Sequence, residues 1–92
     1  MRTAVALILA LAALAAPAEA SVPPRDCDTM RADGKRFGVK AHLVRCTTAR
    51  RHARRWLETR RRPTGWRCTR PTGTRLKLHC TRGERVFFVI RR

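Results

Sequence analysis

Seven arginines fall within thirteen residues near the middle of this chain, and they are the side chains with the clearest chemistry. A guanidinium group carries a fixed charge and a planar fork of donors that fits two phosphate or carboxylate oxygens at once. The segment therefore predicts a cationic surface that binds polyanions, or, in the plainer alternative, a solvated helix face. The candidate polyanion-binding residues are Arg50, Arg51, Arg54, Arg55, Arg60, Arg61 and Arg62.

The whole chain shares this imbalance, with 22 Lys and Arg against 6 Asp and Glu and a net charge of +16. Such a charge attracts any polyanion nearby. The expected partners are an anionic wall polymer, an anionic lipid surface or nucleic acid bound without regard to sequence, and a protein partner stays open. We expect a monomer. The arginine excess is also what a GC-rich genome produces, in which case the charge is composition alone.

The first twenty residues predict the compartment. Arg2 precedes an apolar run over residues 4–16, Pro17 ends the run, and small residues flank a cleavage point after Ala20. This is the build of a secretory signal peptide, and thirteen apolar residues are too few to span a bilayer, which takes about 20. The exported chain would begin at Ser21 and keep its net charge, because one cation and one acid are removed.

Four cysteines lie in the exported part, and an even number in a short exported chain predicts two disulfides. They are Cys27, Cys46, Cys68 and Cys80. Their spacings lack the tight pair that structural zinc sites use, so we expect no metal and no cofactor.

The pairing of these cysteines has three alternatives. A turn centred near Thr72 and Gly73 places Cys68 opposite Lys77 and out of reach of Cys80. This favours long-range bridges, with Cys46 joined to Cys80 and Cys27 joined to Cys68.

Residue types for catalysis are scarce, and we expect no enzyme and no catalytic residue. The exported part has five acids, of which Asp26 and Asp28 flank Cys27 in the leader. Glu58 and Glu84 each neighbour several arginines, and such ion pairing would lower the pKa of a carboxyl and suit it badly as a general acid. There are three histidines and no tyrosine. Bridged cysteines leave no thiol nucleophile, and no glycine-rich phosphate loop is present.

The elements that must position these side chains follow from periodicity. Residues 21–34 are expected to form an extended leader tied by Cys27, and residues 35–92 a single domain. Apolar residues alternate over residues 37–43, which predicts a strand after a turn at Asp33 and Gly34. Residues 47–61 predict the only helix, with Thr47 or Thr48 as N-cap and Pro63 as the stop.

The rest of the chain predicts a three-stranded antiparallel meander over residues 66–69, 76–81 and 85–90. The last strand is apolar on both faces, which is typical of a central strand. Leu76, Leu78 and Cys80 are expected on one side, with Lys77 and His79 on the other. Trp56 and Trp66 are expected to anchor the core more than to stack on a ligand. The predicted fold class is α+β, with one amphipathic helix packed on an antiparallel sheet in β-α-β-β-β order.

One pattern resembles a known group of proteins. It runs Val44-x-Cys46-x-x-Ala49-Arg50-x-x-Ala53-x-x-Trp56, then Gly65-Trp66-x-Cys68, then Cys80 before a β-rich end. It is similar to a group of small exported four-cysteine proteins from actinobacteria, over about residues 37–90. The group has no characterised function, so the resemblance implies export, disulfides and a helix on a sheet, and no activity.

Taken together, these features predict an exported, disulfide-stapled, non-enzymatic protein that binds anionic polymers or surfaces at the cell envelope. A protein-binding module, such as an inhibitor of an extracellular enzyme, is one alternative. A cationic antimicrobial protein is another, although the helix offers a narrow, alanine-rich apolar stripe for insertion.

Overall fold

The structure, a computed structural model, describes residues 23–92 and consists of one helix packed on a five-stranded antiparallel sheet. The predicted α+β class is therefore confirmed, whereas the predicted signal peptide lies outside the described residues. The elements are β1 (Arg25–Ala32), β2 (Lys35–His42), α1 (Cys46–Thr59), β3 (Arg67–Thr69), β4 (Leu76–Arg82) and β5 (Arg85–Arg91).

The segment predicted as a leader forms β1, so the element order begins with two strands before the helix. β1 pairs antiparallel with β2, and the turn predicted at Asp33 and Gly34 joins them as a two-residue loop. Both loop residues have positive φ, 54° and 70°, as the tight hairpin turn that matches strand twist requires. The domain therefore includes residues from Arg25 onward and does not begin at residue 35.

A bulge in β1 explains how this polar strand reaches the core. Cys27 and Met30 are both buried, although residues three apart in a regular strand face opposite ways. The register shifts between Asp26 and Thr29, and Asp28 takes a φ of 79° there. The extra residue turns both apolar side chains toward the helix.

The helix begins one residue before the predicted start and ends two residues before the predicted end. Its N-cap is Arg45, which makes no side-chain cap hydrogen bond, so neither Thr47 nor Thr48 has that role. Cys46, the first helical residue, is held by a disulfide to β1, which fixes the start without a cap. At the other end Arg60 adopts the left-handed conformation, so the helix stops three residues short of Pro63.

The sheet has the order β1-β2-β5-β4-β3, which places β5 at its centre as predicted. Phe87 and Val89 of β5 are fully buried beneath the helix, beside Val39 of β2 and Leu78 of β4. The helix contributes one apolar face to this core, as its periodicity predicts. The buried helix residues are Ala49, Ala53, Trp56 and Leu57.

The disulfides join Cys27 to Cys46 and Cys68 to Cys80, so the favoured pairing was wrong. The register places Cys68 directly opposite Cys80, with a Cα–Cα distance of 4.0 Å. That register centres the hairpin on Thr74 and not near Thr72 and Gly73. β3 pairs only with the part of β4 beyond Leu78, with Thr69 opposite His79, so the partner of Cys68 lies three residues beyond Lys77.

A second bulge, in β4, decides which way Lys77 points. Leu76 pairs with Ile90 and Leu78 pairs with Val89, so Lys77 is an extra residue between them. Leu78 faces the helix, whereas Leu76 shares the opposite face with Ile90. The predicted single face for Leu76, Leu78 and Cys80 is therefore wrong at Leu76, and Lys77 reaches the helix side.

Candidate functional site

An open pocket of about 730 Å³ lies where the end of the helix meets the sheet. The start of β2, the end of β5, the loop between β3 and β4 and the β4 bulge form its other walls. Five of its ten lining residues are cationic and none is acidic. The lining residues are Lys35, Phe37, Trp56, Arg60, Arg70, Pro71, Thr72, Gly73, Lys77 and Arg91.

Aromatic rings hold three of these cations in place. The guanidinium carbon of Arg60 lies 4.6 Å from the centroid of the Trp56 ring, and that of Arg70 lies 5.8 Å from it. Arg91 lies 5.9 Å from the centroid of Phe37 in the same way. A cation over an aromatic face is stabilised by about 0.5–1 kcal/mol at an exposed site. The contact covers one face of the guanidinium group and leaves its N–H edge to donate in the plane, as Nη1 of Arg91 does to the Arg92 carbonyl oxygen.

Local backbone structure brings the cations to this point. Arg60 adopts a φ of 62°, and its N–H donates to the Trp56 carbonyl oxygen at 2.7 Å, which turns the chain at the helix end. The β4 bulge re-aims Lys77. The carbonyl end of a helix favours positive charge, which offsets part of the repulsion among the clustered cations.

The acids of the described chain lie elsewhere. Residues 23–92 contain five acids, and within this stretch a single ion pair forms, between Arg54 and Glu58 with an N···O distance of 3.8 Å. Both partners are exposed, so the pair contributes little. The pocket cations have no carboxylate partner among the residues that line it, which leaves a concentrated positive potential open to solvent.

The seven arginines proposed from the sequence do not form one surface. Arg51, Arg54 and Arg55 are exposed on the outer face of the helix, and Arg61 and Arg62 are exposed beyond its end. Only Arg60 lines the pocket. The outer helix face is thus a separate cationic surface.

Arg50 has a contact within the fold. Its Nη1 donates to the carbonyl oxygens of Cys27 and Thr29 at 2.9 and 3.2 Å. These carbonyls belong to the β1 bulge, where the regular ladder is interrupted. Arg50 therefore joins the helix to β1 beside the Cys27–Cys46 disulfide, and its guanidinium is less available to a ligand than its neighbours are.

Four of the pocket cations were not predicted from the sequence: Lys35, Arg70, Lys77 and Arg91. They are spread over 57 residues, and no motif spacing connects them. The hairpin register and the β4 bulge bring them together, and neither is visible in composition. The sequence feature that could have indicated the pocket is Trp56, because an aromatic residue near the end of a helix can contact arginines that follow it.

At the opposite end of β2 a smaller pocket of about 340 Å³ contains His52 and Trp66. The ring centroids of His52 and Trp66 are 5.8 Å apart, and both rings pack near Phe87. Burial, followed by the charges of Arg51 and Arg82, lowers the pKa of His52 below its usual 6.5. His52 is therefore a neutral ring at pH 7.

Within residues 23–92, no group of three or more His, Cys, Asp and Glu side chains is placed to hold a metal ion. No helix in that part of the chain has the length and apolar character needed to cross a membrane. What the larger pocket can do chemically is donate several charge-assisted hydrogen bonds to a phosphate, sulfate or carboxylate group.

Comparison of the chain with protein-family models, with curated proteins and with solved structures finds no match.

Proposed function

We propose that this protein is an exported, non-enzymatic binding protein for anionic polymers or surfaces at the cell envelope. The observation that carries the proposal is the pocket at the helix end, where five cations line one cavity, three of them over aromatic rings, with no acid among the lining residues. A net positive charge alone predicts cations spread over the surface. Convergence from separate elements onto Trp56 and Phe37 is what a site for an anion needs.

The chemistry of the pocket favours phosphate-bearing polymers. Arg60, Arg70 and Arg91 are each backed by a ring, so their donors are partly pre-organised. Arginine binds phosphate two oxygens at a time, whereas a lysine acts as a point charge beside it. Because arginines cover the Trp56 ring, the ring is a platform for cations and not for a base or sugar. Binding should therefore depend on phosphate spacing and not on sequence.

Export is part of the proposal. Two disulfides fit an oxidising, extracellular setting. Residues 1–20 have the composition of a signal peptide, and cleavage after Ala20 would release a chain that keeps α1 and β1 to β5. Envelope polymers rich in phosphate would then be the polyanions that it meets first.

The test is a salt titration of binding to a soluble polyanion. Duplex DNA and a phosphate-containing wall polymer are titrated with the disulfide-bonded protein between about 50 and 300 mM salt. The matched control is the same protein reduced and alkylated with iodoacetamide, which keeps the net charge and removes both staples of the fold. Phosphate contacts make log K fall linearly with log salt, so the slope counts them.

The proposal expects the disulfide-bonded form to bind at least tenfold more tightly than the alkylated form near 150 mM salt. Equal binding by both forms, lost together as salt rises, would mean that charge acts without the fold. The proposed site would then be wrong.

A further inference from the structure

Two features of Leu43, its backbone conformation and the exposure of its side chain, are unfavourable for the stability of the fold. It lies in the turn between β2 and the helix with a φ of 58°, a left-handed conformation that a bulky side chain strains to adopt. Its side chain is 56% exposed, and within residues 23–92 it is the one large hydrophobic residue left in solvent. Glycine or asparagine would suit this turn better. A strained, exposed apolar residue of this kind points to a role outside the fold.

The surroundings of Leu43 are cationic. It lines the smaller pocket together with Arg45, Arg82 and Arg85, and the half-buried Trp66 lines the same pocket. All three arginines are exposed. Glu84 lies in the hairpin turn between two of them and does not line the pocket. The local charge stays positive around a protruding leucine.

We propose that Leu43 and the arginines around it dock this protein on the surface of a bilayer that contains anionic lipid. The arginines contact lipid phosphates, and the leucine enters the acyl boundary beneath them. A soluble polyanion has no apolar phase, so it could bind the arginines but could not bury the leucine side chain. The combination of an apolar tip and a cationic rim therefore favours a bilayer over a dissolved polymer.

This surface is separate from the phosphate pocket. Phe37 lies near the start of β2 and Leu43 directly follows its end, so six positions of extended chain place them about 20 Å apart. The inference does not need the larger pocket to bind anything. Failure of polyanion binding at the larger pocket would leave it untouched, and its own failure would leave that pocket untouched.

The test measures partitioning onto vesicles. The protein is purified in disulfide-bonded form from a secreting host and sedimented with vesicles of phosphatidylcholine, with or without 30% phosphatidylglycerol. The central variant is Leu43→Asn, which removes the apolar tip and tolerates the left-handed backbone. Leu43→Phe is the matched control because it keeps an apolar tip of similar reach in the same strained position.

The expected result is that Leu43→Asn weakens partitioning onto anionic vesicles by about tenfold, because only the exposed 56% of the leucine side chain leaves water on docking. Leu43→Phe should retain or improve partitioning, and Arg85→Gln should weaken it on anionic vesicles alone. The affinity of Leu43→Asn for soluble DNA should stay within twofold of the parent protein. Its midpoint of thermal unfolding should rise, because the strain is relieved and little packing is lost.

Three outcomes would overturn the inference. Equal partitioning of Leu43→Asn and the parent protein would remove the leucine from any membrane role. A loss with Leu43→Phe as large as that with Leu43→Asn would indicate a shape-specific contact with another kind of partner. Weaker DNA binding by Leu43→Asn, matching its weaker vesicle binding, would make this a site for soluble anions.

Discussion

The Arg60 guanidinium lies 4.6 Å from the centroid of the Trp56 ring, at the residue where the helix ends. Arg60 also has a left-handed backbone, with a φ of 62°, and its N–H donates to the Trp56 carbonyl oxygen. The same pair thus ends the helix and sets one wall of the cationic pocket.

Substitution of Arg60 by glycine tests whether the backbone is strained at the end of the helix. Arg60→Gly and Arg60→Ala both remove the guanidinium, but only glycine adopts a positive φ without strain. We expect Arg60→Gly to be more stable than Arg60→Ala by about 1 kcal/mol, measured by urea unfolding of the disulfide-bonded protein. Equal stabilities would show that the helix end imposes no backbone strain at this position.

The Arg50 contact with β1 predicts a structural effect that its neighbour lacks. Removal of Arg50 leaves the carbonyl oxygens of Cys27 and Thr29 without this donor, so Arg50→Ala should lower the free energy of unfolding by about 1–3 kcal/mol. Arg51→Ala removes the same charge from the exposed helix face and should change it by less than about 0.5 kcal/mol. Chemical denaturation of both variants decides the matter, and equal losses would refute a specific role for Arg50.

The lowered pKa of His52 predicts a pH dependence of stability. The unfolded chain takes up a proton near pH 6.5, whereas the folded protein does so only at lower pH, because burial and then Arg51 and Arg82 oppose the charge. Between the two values the unfolded state binds more protons. Stability should therefore be full above about pH 6.5 and decline as pH falls toward the folded-state pKa.

A matched variant isolates that contribution. His52→Gln cannot titrate, so the decline in unfolding midpoint between pH 7 and pH 5 should be shallower than in the parent protein. Thermal unfolding followed by circular dichroism at a series of pH values measures it. An unchanged slope would assign the decline to other groups.

The parts of the fold that the sequence predicted are those with a strong local pattern. The helix showed apolar residues on one face, and β5 showed apolar residues on both faces, so the first was expected as amphipathic and the second as central. Both expectations are confirmed. The turn at Asp33 and Gly34 could also be predicted, because few residue pairs adopt two positive φ angles as readily as Asp-Gly.

The parts that it missed depend on irregularities. β1 is mostly polar and its bulge breaks the alternation, so it was interpreted as a leader. The disulfide pairing depended on the register between β3 and β4, which places Cys68 opposite Cys80 and not opposite Lys77. The pocket depends on a second bulge at Lys77 and on contacts between distant residues. Hydrophobic periodicity carries no information about bulges, and so none about this pocket.

The central claim is that the pocket cations, and not the total charge, bind polyanions. Its most direct test compares three double variants that each remove two arginines. One pair lies in the pocket (Arg60→Ala with Arg70→Ala), one on the helix face (Arg51→Ala with Arg55→Ala) and one on edge strand β1 (Arg25→Ala with Arg31→Ala). Circular dichroism first establishes that each variant is folded.

Binding of each double variant to duplex DNA and to a phosphate-containing wall polymer is then titrated against salt. The pocket pair should lose at least tenfold in affinity near 150 mM salt and make the salt slope shallower by about 1–2, the loss of one or two phosphate contacts. The β1 pair should lose less than about threefold. Equal losses in all three pairs would contradict the account, because the charge would then act as composition and not as a site.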